Sequence, residues 1–214
     1  RGVLAEFDYL PLSYELTQGD RDRLQAVYAK KAARIREGRP MSQEEEWTEI
    51  AKVYKTAEMK PQVFADFLPA HPDVLSRSIL FVETKEYGAP ILELLHGYTH
   101  LYRTYYAEDD RDHLVAFARG DIDCILTCHR ISQGIDIRSL NTVVLFASAR
   151  ARLETIQRIG RCLRIDPARP EKRALVIDFV RPASPTDTVP NADQERSQWL
   201  TALSQVRKGD AHGA

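Results

Sequence analysis

The chain has 214 residues, of which 43% are hydrophobic, enough apolar sequence for a substantial core. Its 30 basic and 31 acidic side chains give a net charge of −1, so bulk charge indicates no polyanionic partner and any nucleic-acid contact must be local. The apolar runs are far shorter than the ~20 residues of a membrane-spanning helix, and no signal peptide opens the chain. These features predict a soluble, cytoplasmic protein without a membrane partner.

The first part of the chain predicts two amphipathic helices. Apolar residues recur at helical spacing from Leu24 to Ile35, and residues 42–45 form a capping-box pattern ahead of a second apolar stripe. Gly38 and Pro40 separate the two, because glycine favours a helix end and proline cannot continue a preceding helix. We therefore predict a helical hairpin within an N-terminal segment of residues 1–72.

After residue 72, short β-rich runs alternate with amphipathic stretches. The predicted strands lie at 78–82, 100–105, 123–128, 142–147 and 174–180, and the predicted helices at 87–96, 109–119 and 153–164. This alternation predicts βαβ units and a parallel sheet covered by helices on both faces, with functional loops at the carboxyl ends of the strands. We assign residues 73–182 to this α/β domain and residues 183–214 to a C-terminal loop and helix, the helix near 192–206.

Three cysteines, Cys124, Cys128 and Cys162, are an odd number in a chain of ordinary size, which favours reduced thiols over a disulfide framework. Cys124, Cys128 and His129 are close in sequence, but a second ligand pair is missing and alternate strand positions point to opposite faces. We therefore predict no metal site there.

Residues 157–164, in the helix predicted at 153–164, are the sharpest functional signal. Arg161 and Arg164 are three residues apart, and Gln157 is four residues before Arg161, so all three share one helix face. Arginine suits a phosphoryl-transfer site because it stays charged and donates in a planar fork. Alone, the same pattern also fits a solvated basic helix.

In two further segments, a predicted strand is followed by polar residues. Residues 125–137 predict a strand end, a polar loop and a Gly-x-Asp at Gly134 and Asp136, and a loop after a parallel strand is where backbone amides and hydroxyls can meet phosphate. Residues 78–85 predict a buried strand that leads to the hydroxyl of Thr84.

In chain order, residues 78–85, 125–137 and 157–164 resemble motifs IV, V and VI of superfamily 2 helicases, and Q-x-x-G-R-x-x-R at 157–164 is similar to motif VI. The resemblance covers residues 78–181 and is closest to restriction-type and DNA-repair-type enzymes. Residues 7–17 look like the connector that opens this lobe in some DNA translocases. The resemblance implies the C-terminal RecA-like lobe: a parallel sheet with helices on both faces, preceded by an N-terminal helical segment.

The resemblance also implies roles for single residues. Arg161 and Arg164 are the arginine fingers, with Gln157 beside them, and Gly134 and Asp136 contact the nucleotide or the fingers. The implied nucleic-acid contacts are Thr84, Thr127, Cys128, His129, Arg130 and Ser132. The family has threonine or serine where this chain has Cys128, with Thr127 one position earlier, so either could meet a phosphate. His129 and Arg130 also fit as ordinary surface residues.

A complete motor needs a phosphate-binding loop that ends in Gly-Lys and an acidic pair for magnesium. The sequence contains neither a Gly-Lys nor an Asp-Glu dipeptide, and it begins Arg1-Gly2 without methionine, which predicts a piece of a longer polypeptide. The resemblance thus implies ATP and Mg²⁺ held mainly by a first RecA-like lobe of the same parent chain.

The predicted function is the second lobe of an ATP-dependent helicase or translocase acting on nucleic acid, with DNA preferred over RNA. The parent would be an ATP hydrolase, whereas this lobe alone would be incomplete. The alternative is a RecA-like scaffold or regulatory module without ATPase activity. A small-molecule α/β enzyme would need a nucleophile and a base, which the sequence does not offer.

Overall fold

Six short runs of mainly apolar residues form the strands of one sheet. The computed structural model describes residues 6–128, 140–147, 173–183 and 191–209, with side chains of the last helix to residue 205. The strands are β1 (Phe7–Ser13), β2 (Ser78–Phe81), β3 (Tyr102–Thr104), β4 (Cys124–Thr127), β5 (Thr142–Leu145) and β6 (Ala174–Val180). Their order is β1-β6-β5-β2-β4-β3, and every pair in this described sheet is parallel.

Helices cover both faces of the sheet. They are α1 (Gln18–Arg36), α2 (Gln43–Lys55), α3 (Met59–Phe67), α4 (Lys85–His96), α5 (Asp112–Arg119) and α6 (Ala192–Gly209). Residues of α5 and α6 pack with one set of alternating strand side chains, and residues of α3 and α4 pack with the other set. The predicted parallel sheet with helices on both faces is confirmed.

The predicted helical hairpin is present as α1 and α2. The capping box on Ser42 forms, since its hydroxyl accepts from the Glu45 amide and the Glu45 carboxylate accepts from the Ser42 amide. Ion pairs join the two helices, among them Lys31 Nζ to Glu46 Oε2 at 2.7 Å. Gly38 adopts a φ of +74°, which glycine tolerates without steric cost, so the first helix ends where predicted.

Two predicted elements begin later than the sequence suggested. The strand expected at 100–105 covers Tyr102–Thr104, and the helix expected from residue 109 begins at Asp112. The aspartates before that helix form turns instead: Asp109 accepts from the Tyr106 amide at 2.8 Å and Asp110 from the Asp112 amide at 3.0 Å. Short polar side chains commonly compete with a helix in this way.

The N-terminal segment is built into the sheet. β1 pairs with β6 over its whole length, from Phe7 opposite Ala174 to Ser13 opposite Val180. Phe64 of α3 is fully buried and packs edge-on against Phe146 at 5.3 Å between ring centroids. Residues before 73 therefore share the core of the α/β domain, and a boundary at residue 72 stays a sequence-based prediction.

Candidate functional site

The carboxyl ends of β2, β4 and β3 bring several sequence-predicted residues to one edge of the sheet. β4 lies between the other two strands, with Phe81 opposite Thr127 and Thr104 opposite Leu126. Because the strands are parallel, the chain leaves all three on the same side. Thr84 follows β2 and Cys128 follows β4 on that side.

Thr84 is exposed and caps α4. Its hydroxyl oxygen accepts from the Tyr87 amide at 3.2 Å. The backbone amide of Glu86 and then the Thr84 hydroxyl hold the pKa of the Glu86 carboxyl below its ordinary value. The first turn of α4 thus already stabilises negative charge, as the positive end of a helix dipole should.

Thr127 and Cys128 differ sharply in accessibility. Thr127 is fully buried, and its hydroxyl donates to the Tyr105 carbonyl at 2.6 Å. Cys128 is partly exposed, and burial raises the pKa of its thiol. The Thr127 hydroxyl could donate to a phosphate only if its hydrogen bond to the Tyr105 carbonyl broke, so the geometry favours Cys128 as the accessible group.

Tyr106 and Lys85 lie at the same edge and were not among the predicted site residues. Lys85 pairs with Glu108, and its ammonium lies 5.6 Å from the centroid of the Tyr106 ring. Burial raises the pKa of Tyr106 to about 12, and among the described residues its hydroxyl has no hydrogen-bond partner. Gly88 permits this packing, because a Cβ there would lie 2.7 Å from the Tyr106 hydroxyl. A glycine in the middle of an amphipathic helix was the available sequence signal.

A buried ionic network lies at the carboxyl end of β6. The Arg196 guanidinium, 1% exposed, donates to Asp178 through Nε at 2.8 Å and Nη2 at 3.1 Å, and to Asp193 at 3.0 Å. Asp193 also accepts from the Tyr14 hydroxyl at 2.8 Å. Burial opposes the charge of Arg196, but the two carboxylates outweigh it and raise the pKa of Arg196. The network ties β6, α6 and the end of β1 together, and a paired, hydrogen-bonded arrangement makes such burial tolerable.

Lys60 connects this network to β5. The side chain is 1% exposed, its Nζ donates to the Phe146 carbonyl at 2.9 Å, and it lies 4.8 Å from the centroid of the Tyr14 ring. Burial lowers the pKa of Lys60 to about 8. Lys60, Phe64 and Leu68 are four residues apart, so a lysine on the buried stripe of a helix was the signal that sequence reasoning missed.

A cavity of about 580 Å³ opens between α2 and the carboxyl ends of β2 and β6. Its lining includes Trp47 and Tyr54 of α2 and Arg181, directly after β6, and the Arg181 guanidinium lies 5.4 Å from the centroid of the Tyr54 ring. Lys60 and Arg196 contribute buried positive charge to the same lining.

Several predicted site residues lie outside the described part of the chain. They are Gly134, Asp136, Gln157, Arg161 and Arg164, together with His129, Arg130 and Ser132. Within the described ranges, no helix is long and apolar enough to cross a membrane, and no group of three His, Cys, Asp or Glu side chains could hold a metal ion.

The solved structures that match this chain include three with TM-scores just below 0.5. T4 UvsW matches over 96% of this chain at 15% identity and a TM-score of 0.49, and this chain spans 39% of that one. The C-terminal domain of the DEAD-box protein Dbp5 matches over 73% of this chain and 82% of that domain, at 20% identity and a TM-score of 0.47. S. cerevisiae Dbp5 bound to RNA and ADP BeF3 matches over 67% of this chain and 36% of that one, at 18% identity and a TM-score of 0.48.

A family model gives the assignment. The comparison with curated protein sequences gave no match. The model described as "Helicase conserved C-terminal domain" matches residues 59–166, which is half of the chain. These residues include β2 to β5, Thr84 and Cys128. The chain therefore belongs to the helicase conserved C-terminal domain family, as the resemblance to superfamily 2 helicases predicted.

Proposed function

We propose that this chain is the second motor lobe of an ATP-dependent helicase or translocase that acts on DNA. The membership of residues 59–166 in the helicase C-terminal family carries the proposal. ATP and Mg²⁺ would be held mainly by a first RecA-like lobe of the parent chain, because this sequence has no Gly-Lys phosphate loop. A cytoplasmic location belongs to the same proposal.

The edge formed by β2, β4 and β3 suits contacts to a phosphate backbone. Thr84 offers an exposed hydroxyl at the N-terminus of α4, where amides and the helix dipole favour an anion. The raised pKa of Cys128 keeps its thiol neutral at physiological pH, so it does not repel phosphate. Such contacts read the backbone and carry no base sequence, as a translocating motor needs.

Arg161 and Arg164 would act on the nucleotide. By resemblance, Arg161 and Arg164 stabilise charge on the γ-phosphate, with Gln157 beside them and Gly134 and Asp136 nearer the sugar. An arginine finger contributes about 10³- to 10⁵-fold to turnover in phosphoryl-transfer enzymes. The assignment therefore predicts a large and specific loss of activity when either arginine is removed.

The test is DNA-stimulated ATP hydrolysis by the parent protein with Arg164→Ala. We expect the turnover number to fall at least about a hundredfold, while DNA affinity without nucleotide stays close to that of the wild type. Arg36→Ala is the matched control, since Arg36 is an exposed arginine in the last turn of α1. It should leave hydrolysis unchanged.

Unchanged hydrolysis in Arg164→Ala would contradict the finger assignment. The 214-residue chain alone should be inactive beside a DNA-stimulated parent. A parent with no ATPase activity on any polymer would instead support the scaffold alternative.

A further inference from the structure

The loop after β3 is fixed against the first turns of α4. Tyr106 is 4% exposed and packs so closely on α4 that a Cβ at Gly88 would lie 2.7 Å from its hydroxyl. The Asp109 amide donates to the Tyr106 carbonyl at 3.2 Å, and the Asp109 carboxylate accepts from the Tyr106 amide at 2.8 Å. Residues 106–109 therefore form a closed turn, and local structure sets the position of Glu108 within it.

This turn brings Glu108 into an ion pair with Lys85. Lys85 is the first residue of α4, directly after Thr84. Its ammonium binds the Glu108 carboxylate and lies 5.6 Å from the centroid of the Tyr106 ring. The hydrogen bond between the two raises the pKa of Lys85 and lowers the pKa of Glu108, so both side chains are charged at physiological pH.

Carboxylates surround Lys85, and Glu108 is the one that neutralises it most directly. Asp109 and Glu86 also favour the charged form of Lys85, but less than Glu108 does. Asp109 is held by the Tyr106 amide, and Glu86 by its own amide and the Thr84 hydroxyl. The Glu108 side chain is 55% exposed, so it can leave Lys85 for solvent. A phosphate that binds Lys85 must displace it.

We propose that Glu108 is a built-in competitor of the nucleic-acid backbone, and that its carboxylate pairs with Lys85 until a strand phosphate takes its place. The inference rests on the proposed function, since it assigns a regulation to the same edge. An exposed ion pair contributes little net free energy, so the exchange is easily reversed. Because only the fraction of molecules with an open pair can bind, the competitor lowers the affinity for the strand and lets it be released.

The experiment measures how tightly the parent protein, without nucleotide, binds a fluorescein-labelled oligodeoxynucleotide at low salt, by fluorescence anisotropy. Glu108→Gln should tighten binding about two- to fivefold, the range that an exposed ion pair allows. In a Lys85→Gln background the same substitution should have much less effect, because no ammonium remains to be released. Circular dichroism should show that all variants are folded.

Asp110→Asn is the matched control. It removes a negative charge from the same loop, and asparagine retains an oxygen that can accept from the Asp112 amide, as Asp110 does at 3.0 Å. An equal gain in Asp110→Asn, or an equal gain from Glu108→Gln with and without Lys85, would overturn the competition in favour of general repulsion. Salt-dependent binding that Glu108→Gln leaves unchanged would overturn this inference alone. A wild-type parent that binds no oligonucleotide would overturn the proposed function and this inference with it.

Discussion

Burial separates neighbouring residues that look equivalent in sequence. Thr127 and Cys128 are adjacent, yet Thr127 is fully buried in a hydrogen bond to Tyr105, while Cys128 is partly exposed. Burial also distinguishes Lys60, whose ammonium donates to the Phe146 carbonyl just after β5.

Lys60 should make stability depend on pH. Its pKa is about 8 in the folded protein and 10.5 in the unfolded chain, so the unfolded chain binds more protons between these values. The free energy of unfolding must then rise with pH between about 8 and 10.5. Below about pH 8, Lys60 adds no pH dependence to it. We expect the free energy of unfolding of the wild type relative to Lys60→Met to increase by about 2 kcal/mol from pH 8 to pH 10.

Urea unfolding of both proteins across this range measures the effect. Taking the difference between the proteins removes the contributions of other groups with shifted pKa values, such as Cys124 and Tyr87. Lys30→Met is the control, since Lys30 is about half exposed and should give a flat difference. A flat difference for Lys60→Met as well would mean that Lys60 keeps an ordinary pKa.

Among the elements, α4 connects the predicted nucleic-acid edge to the core. Its N-terminus is capped by Thr84, and Ile91 and Leu95 bury its other end against the sheet. Gly88 lies between these regions and permits the close approach of Tyr106. The position of the Thr84 hydroxyl therefore depends on a contact one turn further along the helix.

Gly88→Ala should destabilise the protein although alanine is the better helix former by roughly 1 kcal/mol. The new Cβ would lie 2.7 Å from the Tyr106 hydroxyl and 3.0 Å from Leu126 Cδ2. Overpacking of this kind costs about 1–3 kcal/mol. Thermal or urea unfolding of Gly88→Ala and of the wild type measures this loss of stability.

A double-mutant cycle with Tyr106→Phe identifies the cause. Removing the hydroxyl deletes the nearest clash and a buried group without a described partner, so part of the loss should be recovered. Gly97→Ala serves as the control, because its Cβ would meet only the Leu94 carbonyl, at 3.4 Å. If Gly88→Ala lost the same stability in the wild type and in Tyr106→Phe, the contact with the Tyr106 hydroxyl would not be the cause.

Elements with a strong local pattern could be predicted from sequence, whereas those set by tertiary contacts could not. Alternating apolar runs predicted β2, β4, β5 and β6, and the capping box predicted the start of α2. By contrast, the sequence of β1 predicts only part of a connector. β1 contains Pro11, which has no amide hydrogen, and an edge strand tolerates this because one side needs no partner. Its place beside β6 is a long-range pairing that no local pattern specifies.

The candidate site follows the same division. Thr84 and Cys128 could be found because parallel strands carry loop residues to one edge, a general property of the fold. Lys60, Arg196 and the cavity at Trp47 depend on how α2, α3 and α6 pack around that edge. Their residue types are ordinary, and only their burial and proximity in the structure distinguish them.

At the scale of the whole molecule, the carboxyl ends of β2, β4 and β3 form a polar edge, in which Lys85 pairs with Glu108, on a chain with a net charge of −1. If the parent protein tracks a phosphate backbone, its affinity for single-stranded DNA must fall with salt, because bound cations release counterions from the polymer. We expect the affinity for single-stranded DNA to fall at least about tenfold between roughly 50 and 200 mM salt. ATPase stimulation by DNA should exceed that by RNA of the same sequence.

Two substitutions separate charge from hydrogen bonding at this edge. Lys85 pairs with Glu108 in this chain, and a bound strand would exchange that partner for a phosphate, so Lys85→Gln should reduce the slope of log affinity against log salt by about one. Thr84→Val should weaken binding about fivefold without changing the slope, because a hydroxyl carries no charge. Lys30→Gln on α1 should change neither quantity. Salt-independent binding, or a slope that Lys85→Gln leaves intact, would place the strand on another face of the molecule.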